Sequence, residues 1–523
     1  MLNKYTIPVL LLVLTSCANI VQPSGGPVDK DAPVVTQETP ANGSTQFSGH
    51  SFTICFDEYV QLKEPQKNVI VSPPVAKPPV IQISGKCVEV TFEKNQLKPN
   101  TTYHVQFLGA IADIHENTVL YDYGYLFSTG EKIDTLSMGG VVLDARTQKK
   151  AVGYLVGLYK EYTDSSAFKR KPDYVGMTNP LGMYRFRAIA EGKYRVVTYE
   201  DKNANLLIDA GEEAGFTETE YSPIDSIKNI KLFAFTQPLY TPGRIIDTIN
   251  SATNQFELVF YQPRQPITPV DGIFSYHKKD EVWDTLVVQT ANKNEVQTIE
   301  WMVNGTKQAL QLTNKAENKP AFTIQHISRP YFAGDTLVLK VSNRIQSLNN
   351  DSMLINMDST YVNCSVKTEK NSPYIYIPTD ASKVKSSSIR VKLGVGAIND
   401  VYGQSNALTE FNIPVLKETD FGSLEFNIKN GKKQSVLVQL LDEKFNVMYS
   451  QQIHSADKVT FNRIRTATYL VRGVIDTNAN GTWDGGNVSS GTLPERVLYL
   501  STPVILRADW LIEGNTIDFD SVK

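Results

Sequence analysis

"YRFRAIAEGKYRVVTYEDKNAN", residues 184–205, and "VTFNRIRTATYLVRGVIDTNAN", residues 459–480, decide the fold between them. Apolar residues fall on alternate positions and the run ends in Asp, the pattern of strands that bury one face. Phe186, Ile189, Tyr194, Val196 and Asp201 correspond to Phe461, Ile464, Tyr469, Val471 and Asp476, all displaced by 275 (476 − 201 = 275). A constant offset at five positions marks a duplicated unit.

The rest of the chain reads the same way. With 523 residues it is too long for one core, and about three to five domains are expected. Tyr and Phe are plentiful (25 and 22), Val, Ile and Thr recur throughout, and Gly, Pro, Asn and Asp interrupt short alternating runs, so strands are favoured over helices. After residue 20 no long segment has helical periodicity. The expected class is all-β, a tandem array of β-sandwiches. A net charge of −3 lacks the basic stripe that nucleic acid requires, so no nucleic-acid partner is expected.

The opening "MLNKYTIPVLLLVLTSC" has one basic residue, Lys4, an apolar run from Ile7 to Leu14, and small residues before Cys17. So short a run does not span a bilayer as a lasting helix and reads as a signal peptide, 1–17. Leu14-Thr15-Ser16-Cys17 resembles the bacterial lipobox. The resemblance implies that Cys17 is acylated (palmitate-type chains) and anchors the protein to a membrane, each buried methylene contributing about 0.8 kcal/mol. Residues 18–31, rich in Pro and Gly, form a tether. No Asp follows Cys17, which by the same resemblance favours the outer membrane. "ANIVQ" lacks the acidic cluster associated with surface export in lipoproteins of the Bacteroidetes type; this leans toward a periplasm-facing position and leaves the cell surface as the alternative.

Residues 32–131 carry "PANG", "ICFDEYV", "VSPP", "LKPNTTY" and "AIAD" in that order. The series resembles the bacterial Ig-like domain of S-layer and Bacteroidetes surface lipoproteins, and implies a structural or adhesive module without catalytic residues. The duplicated units, 132–222 and 419–523, resemble the prealbumin-like (carboxypeptidase-regulatory) sandwich. "LGAIADIHENT" at 108–118 parallels "VGAINDVYGQS" at 395–405, which implies a second Ig-like sandwich over 326–418. Between them, 223–325 is β-rich and carries no family motif.

An exported chain meets an oxidising compartment, and three cysteines follow Cys17. Phe52, Ile54 and Phe56 face inward on one strand, and Val88, Val90 and Phe92 on another. Cys55 and Cys87 then both face outward, where they can bridge as cross-strand neighbours. Cys364 is left as a free structural thiol.

Each repeat ends in an Asp/Asn loop. Asp201, Asn203, Asn205, Asp209 and Glu212 occupy places 1, 3, 5, 9 and 12 of an EF-hand-type calcium loop, with the Leu207 carbonyl at 7. Asp476, Asn478, Asn480, Asp484 and Asn487 repeat the spacing, with Thr482 at 7. Each copy departs once: Leu206 stands where the sharp turn calls for glycine, as Gly481 supplies, and Asn487 replaces the closing glutamate. Two readings stay open, a structural Ca2+ at each loop, or a polar turn used twice because Asp and Asn favour such turns.

Six histidines lie singly, and neither HExxH, GxSxG, a phosphate loop nor a dinucleotide fingerprint occurs, so no enzyme is expected. A carboxylate pair for glycoside hydrolysis has no local motif and stays an open alternative. Trp301 and Trp483 are the candidates for exposed tryptophans, and Trp483 is placed either to stack on a sugar or to plug its loop. The reading is a lipid-anchored, non-catalytic envelope protein that contacts envelope proteins or glycans; the rival is a carbohydrate-binding lipoprotein of a glycan-uptake system.

Overall fold

The computed structural model describes residues 30–223, 227–238, 244–261, 267–269, 274–279, 283–290, 296–303, 306–327, 331–358, 360–369 and 372–521. Cys17, the leader and most of the tether lie outside the described residues. The fold is all-β, a tandem series of β-sandwich cores. Its helical segments are single turns, such as Pro65–Asn68 and Ser166–Lys169, and among the described residues no helix is long and apolar enough to cross a membrane.

The described chain divides into two compact units, the first comprising 30–137, 173–177 and 186–191. In it, strands Val35–Thr39, Ser51–Phe56, Cys87–Thr91 and Val80–Ser84 form one sheet in that order. Tyr123–Ser128, Thr102–Phe107 and Val69–Ser72 form a second. The alternation works as strand geometry demands: Phe52, Ile54, Phe56, Val88, Val90 and Phe92 are all buried. They meet Tyr103, Tyr125 and Phe127 from the other sheet, and Phe52 stacks on Tyr125 with ring centroids 3.9 Å apart. On the outward face Cys55 and Cys87 pair in register and are joined by a disulfide. Cys364 is buried among the apolar residues of a later core, and burial pushes its thiol up to about 11.

The second unit holds the remainder of the chain. In the first repeat, strand Leu136–Asp144 runs parallel to Ile227–Thr236 (Gly140 opposite Ile230), and Leu155–Tyr159 runs antiparallel to Arg195–Tyr199. The second repeat has the same plan. Phe421–Lys429 runs parallel to Leu511–Asp518, and Val436–Leu441 antiparallel to Ala467–Ile475. Gly140 permits the parallel approach, since a Cβ there would lie 1.8 Å from the Ile230 carbonyl oxygen.

Two further cores lie between the repeats. One gathers Phe256, Leu258, Phe260, Leu286, Ile299 and Trp301 from sheets within 245–313, and the other gathers Leu337, Leu339, Ile375, Val391 and Ile398. Trp301 corrects the expectation of exposure: it is 2% exposed and meets Phe260 edge-on at 5.9 Å. Its strand, Val296–Val303, turns alternate residues inward, and Trp301 falls on the same face as Ile299.

The echo between 108–118 and 395–405 is structural. Asp113 closes strand Ile111–Asp113 opposite Val60, and Asp400 closes Ile398–Asp400 opposite Ile345. Both side chains are buried and accept main-chain N–H groups of the turn, His115 and Glu116 in one case, Tyr402 and Gln404 in the other. The bonds from His115 and Glu116 hold the Asp113 carboxyl well below the usual carboxylate range.

His104 supplies a pH test of the first unit. It is 7% exposed with Gly124 close against its ring, and burial, helped by the Arg187 charge, lowers its pKa to about 4. The unfolded chain therefore takes up a proton near pH 6.5 that the fold resists. The stability is complete above that pH and is lost as pH falls toward 4, on the order of 2 kcal/mol by pH 5. Hydrogen exchange across Thr102–Phe107 at pH 7 and pH 5 checks this: the slope flattens in His104→Gln, and equal slopes contradict it.

Candidate functional site

Both Asp/Asn loops are the tips of β-hairpins. In the first repeat Tyr199 pairs with Ala214, so the tip lies between Arg195–Tyr199 and Glu213–Phe216. In the second Val474 pairs with Val497, and the tip lies between Ala467–Ile475 and Val497–Tyr499.

Asp201 opens the first tip. Its two carboxylate oxygens accept the main-chain N–H groups of Asn205 (3.1 Å) and Leu206 (2.9 Å). Asn203 and Asn205 each donate a side-chain N–H to the same oxygen of Asp209, at 2.8 Å. The Asn205 side-chain oxygen accepts the N–H of Leu207 at 2.7 Å. Glu212 is buried and holds the two ends together, accepting the N–H of Lys202 at 3.0 Å and that of Asp209 at 2.9 Å. Tyr199 Oη reaches across to the Leu206 carbonyl at 3.1 Å.

The second tip reproduces the Asp and Asn bonds of this frame. Asp476 accepts from Asn480 and Gly481, both at 3.0 Å. Asn478 and Asn480 donate to one oxygen of Asp484, and Thr482 donates its N–H to Asn480. Leu206 and Gly481 share a left-handed conformation, with φ of 62° and 78°. The first copy thus makes with leucine the turn that glycine makes more cheaply.

The closing residue of the second tip is a correction. Asn487 holds the twelfth place in spacing but not in space: its side chain accepts from the N–H (2.9 Å) and hydroxyl (2.7 Å) of Ser489, capping a short 3-10 turn. Glu495 takes the role, accepting the N–H of Thr477 at 2.7 Å and of Asp484 at 3.0 Å. These two donors are the counterparts of Lys202 and Asp209, each 275 further on. Glu495 lies 283 after Glu212 (495 − 212), so the second tip carries eight inserted residues (283 − 275). Desolvation raises the Glu495 pKa. Motif spacing counts residues in sequence, and an insertion inside the loop hides the pairing; only the strand register shows it.

Trp483 sits beside Glu495 and donates its indole N–H to that residue's carbonyl at 2.9 Å. Its ring packs on Leu437, Val474 and Val497, so it plugs the loop. The inserted segment meets the first repeat. The buried Val488 N–H donates to Gln237 Oε1 at 3.0 Å, and Gly486 lies where a Cβ would meet the Phe235 ring at 2.4 Å. Arg146 extends the junction, donating to the Phe445 carbonyl at 3.0 Å and accepting from Tyr499 Oη at 2.8 Å.

In chemical terms each tip carries two Asp carboxylates, two Asn carboxamides and a buried Glu, the oxygen-bearing residue types that a hard cation takes. Here the carboxamide N–H groups of the two Asn face the central Asp. Turning each about its last bond would present oxygen instead. Elsewhere, Asp113, His115 and Glu116 are the described acid/His group close enough to share an ion, but His115 and Glu116 are exposed and Asp113 is engaged by its own turn.

A family model described as a bacterial Ig-like domain matches residues 29–129. No curated protein matches the chain. Similar solved structures include SGBP-B of the Bacteroides ovatus mixed-linkage glucan utilization locus, in complex with a mixed-linkage heptasaccharide. It is 11% identical over 72% of this chain and 94% of that one, with a TM-score of 0.18. The I9–I11 tandem of titin is 8% identical, covering 50% and 94% (TM-score 0.12), and a biofilm-associated BSP domain is 7% identical, covering 82% and 90% (TM-score 0.16). At such scores these likenesses carry no functional argument.

The reassignment has a direct check. Glu495→Ala leaves the part-buried N–H groups of Thr477 and Asp484 without a charged acceptor, about 3 kcal/mol of lost stability. Asn487→Ala removes one cap, about 1 kcal/mol. Thermal melts followed by circular dichroism separate the two, and a larger loss from Asn487→Ala contradicts the assignment of Glu495.

Proposed function

We propose that this chain is a lipid-anchored, non-catalytic protein of the bacterial cell envelope, with a structural or interaction role at the outer membrane. The observation that carries the reading is the series of separate β-sandwich cores headed by a bacterial Ig-like module. The lipobox-like leader ahead of it adds a place of residence. We read the modules as 32–131, 132–222, 223–325, 326–418 and 419–523, with the second carried on through its closing strand Ile227–Thr236 and the third beginning after it, anchored through Cys17. Cores this small, each closed on its own side chains, suit spacing and presentation.

In this reading the two hairpin tips take structural calcium. Asp201, Asn203, Asn205, Leu207, Asp209 and Glu212 would hold it in the first, and Asp476, Asn478, Asn480, Thr482, Asp484 and Glu495 in the second. The repeated frame supports this, since both tips bring the same carboxylates and carboxamides together, with the closing glutamate of the second brought back across an eight-residue insertion. Extracellular modules bind calcium with dissociation constants on the order of 0.1–1 mM, and these sites belong to that class.

Calorimetric titration of the chain with calcium tests the sites. Saturable heat is expected, reduced by about half in Asp476→Ala or Asp484→Ala, with a melting point that chelator lowers. Absence of heat, together with an unchanged melt, reduces the tips to polar turns. The anchor is tested separately by labelled-palmitate incorporation and membrane fractionation: Cys17→Ala should lose both label and membrane association, and retention of both removes the anchor.

A further inference from the structure

Trp483 is spent on its own loop and Trp301 on a core, whereas Trp510 is 51% exposed. It stands just before the last strand, Leu511–Asp518, of the second repeat. Beside it is a groove with a cavity volume of about 770 Å3, in the range of small-ligand sites. Phe421 forms buried floor, and Gly422 lets the backbone approach closely, since a Cβ there would meet Leu506 at 2.6 Å and the Arg507 carbonyl at 2.7 Å.

The polar groups around the indole are under-used. The Arg507 guanidinium stands over the Trp510 ring, 5.0 Å from its centroid, and has no carboxylate partner among the described residues. The Asp509 carboxylate accepts no hydrogen bond there. Asn462 accepts from the Ser423 hydroxyl at 3.2 Å, and its amide N–H groups are free. An exposed Trp beside solvated polar groups would be ordinary taken singly. Here Trp510, Asn462 and Asp509 line one groove and Arg507 stands over the indole at its side, an apolar platform rimmed by donors and acceptors with open valences.

Chemistry selects the occupant. The groove is lined by Glu418, Asp509 and Arg463, and Arg463 is spent on Glu418 at 2.5 Å and on Asp335 at 3.4 Å, so the lining offers no unpaired cation to hold an anion. Arg507 stands at the side of the groove, over the Trp510 ring. A sugar ring has an apolar C–H face to lie on an indole and hydroxyls that both donate and accept.

We propose that the groove at Trp510 binds a neutral glycan, a sugar ring stacking on the indole while Asn462, Asp509 and Arg507 hydrogen-bond its hydroxyls. This adds a ligand to the scaffold reading and does not depend on it or on calcium, so its failure leaves both standing.

The test uses the full chain, kept unacylated by Cys17→Ala. Binding is measured by calorimetry and tryptophan emission against neutral hexasaccharides of glucan, mannan, xylan and galactan, with a uronate and a sulfated oligosaccharide alongside. At least one neutral sugar should bind saturably, about tenfold or more weaker in Trp510→Ala and partly restored in Trp510→Phe. Asn462→Ala should weaken it too, which keeps the test decisive if Trp510→Ala disturbs the fold. No neutral binding across the panel, binding indifferent to Trp510 and Asn462, or preference for the charged sugars through these residues would each overturn the proposal.

Discussion

Each repeat depends on the parallel pairing of its first and last strands, Leu136–Asp144 with Ile227–Thr236 and Phe421–Lys429 with Leu511–Asp518. No short turn can make a parallel pair, so the intervening chain must cross back over the unit to close the contact. That constraint explains the glycine at 140 and fixes where the Asp/Asn tips hang. In sequence they fall between the closing strands, on the hairpins where Tyr199 pairs with Ala214 and Val474 with Val497. The tips are placed by long-range closure, and their own chemistry only has to hold a hairpin end already delivered.

Residues whose role is set by alternation were legible in the sequence. Phe52, Ile54 and Phe56 face a core because a strand leaves no other choice once one face is buried, and the outward pair Cys55 and Cys87 follows from the same parity. The 275-residue offset was legible because conserving a fold conserves the spacing within its strands. Trp301 was not. It lies in a module without a recognised pattern, where parity cannot be assigned until the partner sheet is known, and its burial against Phe260 is a tertiary fact.

The closing acid of the second tip shows a different limit. Spacing pointed to Asn487, and spacing was followed correctly, but a loop motif assumes that its twelve residues are contiguous. Glu212 and Glu495 are equivalent because each accepts the same two main-chain N–H groups, a criterion that survives insertion. The half-exposed Trp510 was invisible for the opposite reason. Nothing in "RADWLIEG" announces a groove, which forms only when Phe421, Gly422 and Asn462 arrive from two distant strands.

The insertion itself can be weighed. It lengthens the separation of paired residues from 15 (214 − 199) to 23 (497 − 474), which by loop-closure entropy costs only about 0.4 kcal/mol. Against that stand the burial of Val488, 1% exposed, its hydrogen bond to Gln237, and the close packing of Gly486 on Phe235. Burying a valine contributes about 1.5–3 kcal/mol, several times the entropic cost. The second tip has therefore been extended into a joint between the repeats, while Glu495 returns to close the frame that Glu212 closes in the first. A joint built on a hairpin tip is only as stiff as that tip. In the second repeat the carboxylate that orders the loop is thus also what keeps Val488 and Gly486 seated on the first.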